Sequence, residues 1–316
     1  MGTGDGEKSR LDEAARAGWL YFIGGHTQDE IAKMLQVSRA SAQRLVSLCL
    51  AERLITFRLE HPIASCMELA AQLKNRFDLV HCDVVPTDPA APFATAGIAE
   101  RCANLLELTL RSETPVIIAL GTGRAVRAAV ERVSPIDRPE HQIVSLVGNI
   151  LADGSASFFD TVGRLADRTG ARHYPMPLPF LMQTQDERDR MVRMDAITKV
   201  KAVAEKADLK LIGIGQMDQK SQMHVDGFVT REELTEMMRL GAVGEITGWA
   251  YDADGRVIKA GTNHRLTSIP PDVPARAMTI AAALGPAKIP AIRAALAGRL
   301  INGLITDEAT ARAAMA

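Results

Sequence analysis

Four short runs in this 316-residue chain place glycine beside a polar or charged side chain directly after an apolar stretch. Val116–Leu120 leads into Gly121-Thr122-Gly123-Arg124. Gln142–Val147 leads into Gly148-Asn149, and Leu209–Ile214 into Gly215-Gln216. Ala277–Leu284 leads into Gly285-Pro286-Ala287-Lys288. A fifth run, Gly241 to Gly244, precedes Glu245. Glycine lets backbone N–H groups approach an anion, and a helix start adds favourable partial charge there. Arg124 offers a fork of donors for phosphate. Lys288 adds a second cation. Asn149, Gln216 and Glu245 supply groups for hydroxyls. Asp160, at a helix start, reads first as an N-cap and second as a further contact. Each run alone is an ordinary turn. Together they suit a phosphorylated or polyhydroxylated small molecule. None is a P-loop, because no Gly-Lys-Ser/Thr follows.

Catalysis would require more. A general acid or base needs a positioned carboxylate and often a histidine. Histidines 26, 61, 81, 141 and 173 fall away from the expected strand-end loops, while His224 and His264 lie in loops the sequence does not place. Glu245 has no evident partner. Cys49, Cys66, Cys82 and Cys102 show no Cys-x-x-Cys spacing and no accompanying histidines, so neither metal nor disulfide is expected. No cofactor is expected. A sugar-phosphate isomerase or deaminase remains the alternative.

A second chemistry is legible between Thr27 and Leu45. Thr27 with Glu30 makes a capping box. Ile31, Met34 and Leu35 follow at helical spacing, Gln36-Val37 turns the chain, and Ser38 caps another helix. Ala42, Leu45 and Val46 face inward. Arg39, Ala40, Ser41, Gln43 and Arg44 face outward, where a recognition helix meets base edges. Thr27 and Gln28 open the preceding helix. The layout is a helix-turn-helix for double-stranded DNA. From Ser38 to Arg58 four arginines stand against one glutamate, a modest basic footprint in a chain of net charge −1.

These residues need two domains to hold them. Residues 1–58 read as an all-α DNA-binding domain. Its first nine residues look disordered, a first helix covers Leu11–Ile23, and a short strand leaves over Leu54–Leu59 before His61-Pro62. Residues 59–316 read as a Rossmann-like, mostly parallel α/β domain, because continuous apolar strands alternate with helices. The strands are Leu79–Val85, Val116–Leu120, Gln142–Val147, Leu209–Ile214, Ile246–Tyr251, Ala277–Leu284 and Leu304–Ile305. Helices are expected over 67–77, 95–111, 122–132, 159–170, 186–206, 230–239, 287–298 and 306–315. Ligands of such sheets lie beyond the strands' carboxyl ends, where the glycine runs fall. At 47% hydrophobic and 24% charged residues, composition is ordinary for a globular chain. Free thiols suit a reducing cytoplasm. No apolar run approaches the ~18 residues of a membrane span.

The chain resembles the SorC family of bacterial regulators, the sugar-binding DeoR type. The resemblance covers nearly the whole chain. It is carried by Thr27-Gln28-x-Glu30-Ile31-Ala32, Ser38-Arg39, Arg44-Leu45, Gly121-Thr122-Gly123-Arg124, Gly213-x-Gly215, Gly241-Ala242-Val243-Gly244-Glu245, Gly285-x-x-Lys288-x-x-Ala291-Ile292 and Leu304-Ile305-Thr306-Asp307-Glu308. Within the family it is most similar to regulators of polyol catabolism. The resemblance implies a helix-turn-helix domain and an effector domain with the fold of sugar-phosphate isomerases and deaminases. It implies a dimer or tetramer that a sugar, polyol or sugar phosphate loosens from operator DNA. It carries effector contacts to Gly121, Thr122, Gly123, Arg124, Glu245 and Lys288. Ala42-Gln43 replaces the family's usual Val-Ser, Glu245 often stands as Asp, and Leu284 replaces a glycine before Gly285.

Overall fold

The computed structural model describes residues 3–52, 54–55, 63–91, 93–151, 154–155 and 160–316. The chain divides into two compact units, 1–62 and 63–316, a few residues beyond the boundary expected from the sequence. The strand expected over Leu54–Leu59 and the break at His61-Pro62 fall largely outside the described residues.

The first unit is helical. Helix α1 (Thr3–Gly18) runs into a wider turn over Trp19–Ile23, then come α2 (Gln28–Met34) and α3 (Arg39–Ala51). The first helix thus starts within the stretch expected to be disordered. Thr27 and Glu30 form the reciprocal capping box, and the Ser38 side chain accepts the Ser41 amide. Gln36 turns the chain in the left-handed region, at φ 55°. Ala17, Ile31, Ala32, Ala42 and Val46 make the small core. Gly18 lets α1 cross α3 closely, since a Cβ there would overlap Cys49 Sγ.

The second unit is a three-layer α/β domain. In chain order it runs α4 (Ala64–Phe77), β1 (His81–Val85), α5 (Ala96–Leu110), β2 (Ile117–Leu120), α6 (Arg124–Val130), β3 (Gln142–Ile150), α7 (Thr161–Thr169) and β4 (Arg172–Pro179). Next come α8 (Gln185–Met191), α9 (Asp195–Glu205), β5 (Leu209–Gly213), β6 (Gly215–Gln216), α10 (Gln222–Val225), α11 (Arg231–Arg239), β7 (Gly244–Ile246) and β8 (Trp249–Tyr251). The chain closes with β9 (Met278–Ala282), α12 (Ile289–Ala297), β10 (Gly303–Asp307) and α13 (Glu308–Met315). Seven strands form one sheet in the order β1-β10-β9-β5-β2-β3-β4, and every pairing in it is parallel.

Both faces of the sheet are buried, as its continuous apolar strands require. Ile118, Leu120, Leu211 and Ile280 pack under α5, α6 and α7. Their neighbours Ala119, Ile212 and Ala281 pack against α4, α9, α12 and α13. From β2 the chain winds outward through β3 and β4. It then returns past β2 to β5 and winds the other way through β9 and β10. The β2–β5 junction is therefore the topological switch point.

Three sequence expectations need correction. The single helix over 186–206 is two, α8 and α9, separated at residues 192–194. The strand over 246–251 is the hairpin β7–β8, turned at Thr247 (φ 50°) and Gly248 (φ 89°). With β6 it makes a separate antiparallel meander. Strand β4 was not expected, because Pro175, Pro177 and Pro179 argue against a strand interior. It lies at the sheet edge. The Phe180 amide just beyond it bonds inward to Ile150 O, so by strand alternation the three prolines face outward. Among the described residues, no helix is long and apolar enough to cross a membrane.

Candidate functional site

A cavity of about 410 Å³ opens at the switch point, beyond the carboxyl ends of β2, β5 and β9. It gathers Thr122, Gly123 and Arg124 from the first glycine run, Gly215 and Gln216 from β6, Glu245 from β7, and Lys288 before α12. Gly123 (φ 114°) and Gly285 (φ 107°) hold backbone conformations that side chains disfavour. Gly213 has no Cβ to press on the Thr122 carbonyl, which would lie 3.2 Å away. The loops can therefore close tightly around one space.

Glu245 is fixed from behind. Its Oε2 accepts the Gly248 amide at 2.7 Å. The meander that carries it is clamped by buried Asn263, whose Oδ1 accepts the Ala250 amide at 2.9 Å. Asn263 Nδ2 donates to the carbonyls of Ala250 (2.8 Å) and Ile258 (2.7 Å). Burial pushes the Glu245 carboxyl above its usual range, while the Gly248 amide and the Lys288 charge pull the other way. Burial also draws the Lys288 ammonium below its usual range, against the attraction of Glu245. The pair is thus an acceptor and a donor facing one space.

The sequence did not disclose one wall. The stretch around α10 contributes Gln222, Met223, Asp226 and Phe228. Arg124 Nη2 donates to Asp226 Oδ1 at 2.9 Å, so the expected phosphate fork already holds a carboxylate. Phe228 meets Phe180 with ring centroids 4.6 Å apart, giving an apolar side to the space. Three cavity-lining oxygens are buried without a hydrogen-bond partner: Thr122 Oγ1, Gln216 Oε1 and Gln222 Oε1. Buried polar atoms are ordinarily paired, so these point to a ligand that pairs them.

The remaining expected contacts lie elsewhere. Gly121, Gly148, Asn149 and Asp160 line a much smaller adjoining pocket. Gly121 is packed against Ile212, and Gly148 against the Leu178 carbonyl. Asp160 caps α7 by accepting the Gly163 amide. Thr122 borders both spaces.

On the first unit, Arg39, Ala40, Gln43 and Arg44 are exposed along α3, with Ser41 half-buried. Ser38 Oγ lies 2.9 Å from Ser41 Oγ, which accepts from Arg44 Nη2 at 3.1 Å. Arg39 Nε lies 3.4 Å from Asp29 Oδ1. Thr27 is committed to its cap, and Gln28 is half-buried.

A helix-turn-helix unit joined to an α/β domain with a small-molecule cavity at its switch point is the build of a ligand-responsive transcription regulator. A family model described as a sugar-binding domain matches residues 61–316. The erythritol catabolism regulatory protein EryD of Brucella abortus is 30% identical over 300 residues, 95% of either chain. The transcriptional regulator LsrR of Klebsiella pneumoniae is 29% identical over 310 residues, covering 96% of this chain and 92% of its own. The full-length sorbitol operon regulator SorC of Klebsiella pneumoniae shares the fold, with a TM-score of 0.71 at 22% identity over 96% of this chain and 98% of its own. The chain belongs to the SorC-type family of transcription regulators with a sugar-binding domain.

Proposed function

We propose that this protein represses a carbohydrate or polyol catabolic operon in the cytoplasm. It binds operator DNA through α3 and leaves it when a small hydroxylated effector fills the cavity. The observation that carries the effector reading is the set of three buried, unpartnered oxygens around one space, next to Glu245 and Lys288. The polyol named for EryD and the sugar alcohol named for SorC support the same chemistry. The domain acts as a sensor and not as an enzyme. No histidine lines the cavity among the described residues, which leaves Glu245 without the usual proton-transfer partner. One recognition helix offers little area for tight specific binding, so the active form is a dimer or tetramer on a two-fold-related site.

A gel shift with the DNA upstream of the protein's own operon, with and without four- to six-carbon polyols, tests this. Specific retardation relieved by a polyol is expected. Binding no tighter than to random DNA, or insensitivity to every sugar and polyol, counts against the reading. Light scattering should report at least a dimer.

A further inference from the structure

The cavity also distinguishes between two forms of effector. Apart from exposed Lys220, its charged side chains stand as two opposed pairs. Arg124 donates to Asp226 at 2.9 Å. Lys288 and Glu245 line the same space, and each favours the other's charged form. Two carboxylates thus stand beside Arg124 and Lys288, with Lys220 an exposed third cation at the rim. A phosphate ester brings about −1.5 to −2 charges and three acceptor oxygens. A phosphate brought to Arg124, whose side chain is 52% exposed, would lie beside the Asp226 carboxylate.

The hydrogen-bonding inventory points the same way. Gln216 Oε1 and Gln222 Oε1 are acceptors, and Thr122 Oγ1 can accept. An ionised Glu245 carboxylate only accepts. Gln216 is 9% exposed, so water reaches it poorly. Acceptors need O–H or N–H donors, and an ionised phosphate replaces one hydroxyl donor of a polyol by a group that only accepts. The ring pair Phe180–Phe228 covers the apolar C–H side of such a molecule.

We propose that the cavity selects an uncharged polyol or sugar over its phosphate ester, and that Asp226 enforces the choice by holding Arg124 as its counter-ion. This rests on the effector reading above and names the class of ligand within it. Asp226 is then a specificity-determining residue.

The test uses the full chain, with four- to six-carbon alditols, their terminal monophosphates and inorganic phosphate as probes in calorimetry. Wild-type protein should bind a free alditol at least about tenfold more tightly than its monophosphate, the scale of one lost charge-assisted contact. Asp226→Asn keeps the shape and removes the counter-charge. It should move the ratio of the two Kd values about tenfold toward the ester, and inorganic phosphate should begin to raise Tm. Adding Arg124→Gln should abolish that gain. A cooperative thermal transition of the second unit, beside retained operator binding, shows that the variants fold. Wild-type preference for the monophosphate, or an unchanged ratio in Asp226→Asn, overturns the proposal. If no alditol or monophosphate binds a chain that still binds operator, the effector reading itself fails and this proposal falls with it.

Discussion

Glu245 occupies the space that a side chain on Gly215 would enter. A Cβ built on Gly215 falls inside contact distance of Glu245 Oε1, and the two residues are direct partners across β6 and β7. The glycine therefore serves the carboxylate more than the turn. Gly215→Ala should push Glu245 out of place and weaken effector binding about tenfold or more, the scale of one charge-assisted hydrogen bond. Operator affinity without effector should be unchanged. Calorimetry and anisotropy on the same preparation would check both, and wild-type effector affinity in the variant would exclude the steric reading.

The Glu245 carboxyl itself should cost stability at neutral pH. Burial raises its proton affinity on folding, net of the Gly248 amide and Lys288. The folded chain then holds the proton where the unfolded chain has lost it, so stability falls as pH rises from the ordinary value of 4.5 through the raised one. Glu245→Gln removes that cost. Calorimetric scans should show the variant melting above wild type near pH 7, with the difference vanishing as pH drops below 4.5. The same variant should respond poorly to effector, the usual exchange between stability and function at a binding site.

Asn263 is the support behind Glu245. Its three hydrogen bonds join buried backbone groups of the meander and the following loop. Asn263→Ala leaves those groups unpaired, at a cost of about 1–3 kcal/mol each before relaxation. Urea denaturation should show a large loss of stability in the second unit. Asn263→Asp keeps the acceptor but sets a buried carboxylate oxygen against the Ala250 and Ile258 carbonyls, so it should lose at least as much.

On the DNA side, Gln43→Ala should cost about 1–3 kcal/mol on the specific site and little on random DNA. Equal losses on both would remove Gln43 from base reading. Arg39 carries Asp29 beside it, so Asp29→Ala should strengthen binding and steepen its salt dependence, whereas Arg39→Ala should flatten it. Titrations at several salt concentrations separate these outcomes.

The parts of the site legible in the sequence are those built locally. Thr122, Gly123 and Arg124 follow directly on β2, and Lys288 follows β9 by a short turn. A strand-to-turn pattern is enough to place them at one end of a sheet. The capping box at Thr27 and the inward face of α3 were legible for the same reason. Asp226 was not. It follows a four-residue helix with no periodicity, and its partner Arg124 lies 102 residues away. Gln222 shares that fate. Asn149 and Asp160 line the smaller adjoining pocket, where packing at Gly148 and capping at α7 decide where they sit. The β6–β8 meander was under-read because strands of two or three residues leave almost no alternation to detect.

The prolines of β4 carry a consequence for life at high concentration. A sheet margin normally exposes a row of amide hydrogens that a newly made copy of the same chain can seize. At Pro175, Pro177 and Pro179 the outward nitrogens bear no hydrogen. A neighbour arriving there finds no donors at the prolines, and the Pro179 carbonyl is already taken by Thr267 Oγ1 at 2.6 Å, so no continuous ladder can be laid down along that side. Crowded synthesis should therefore yield discrete particles in place of fibres seeded from this margin.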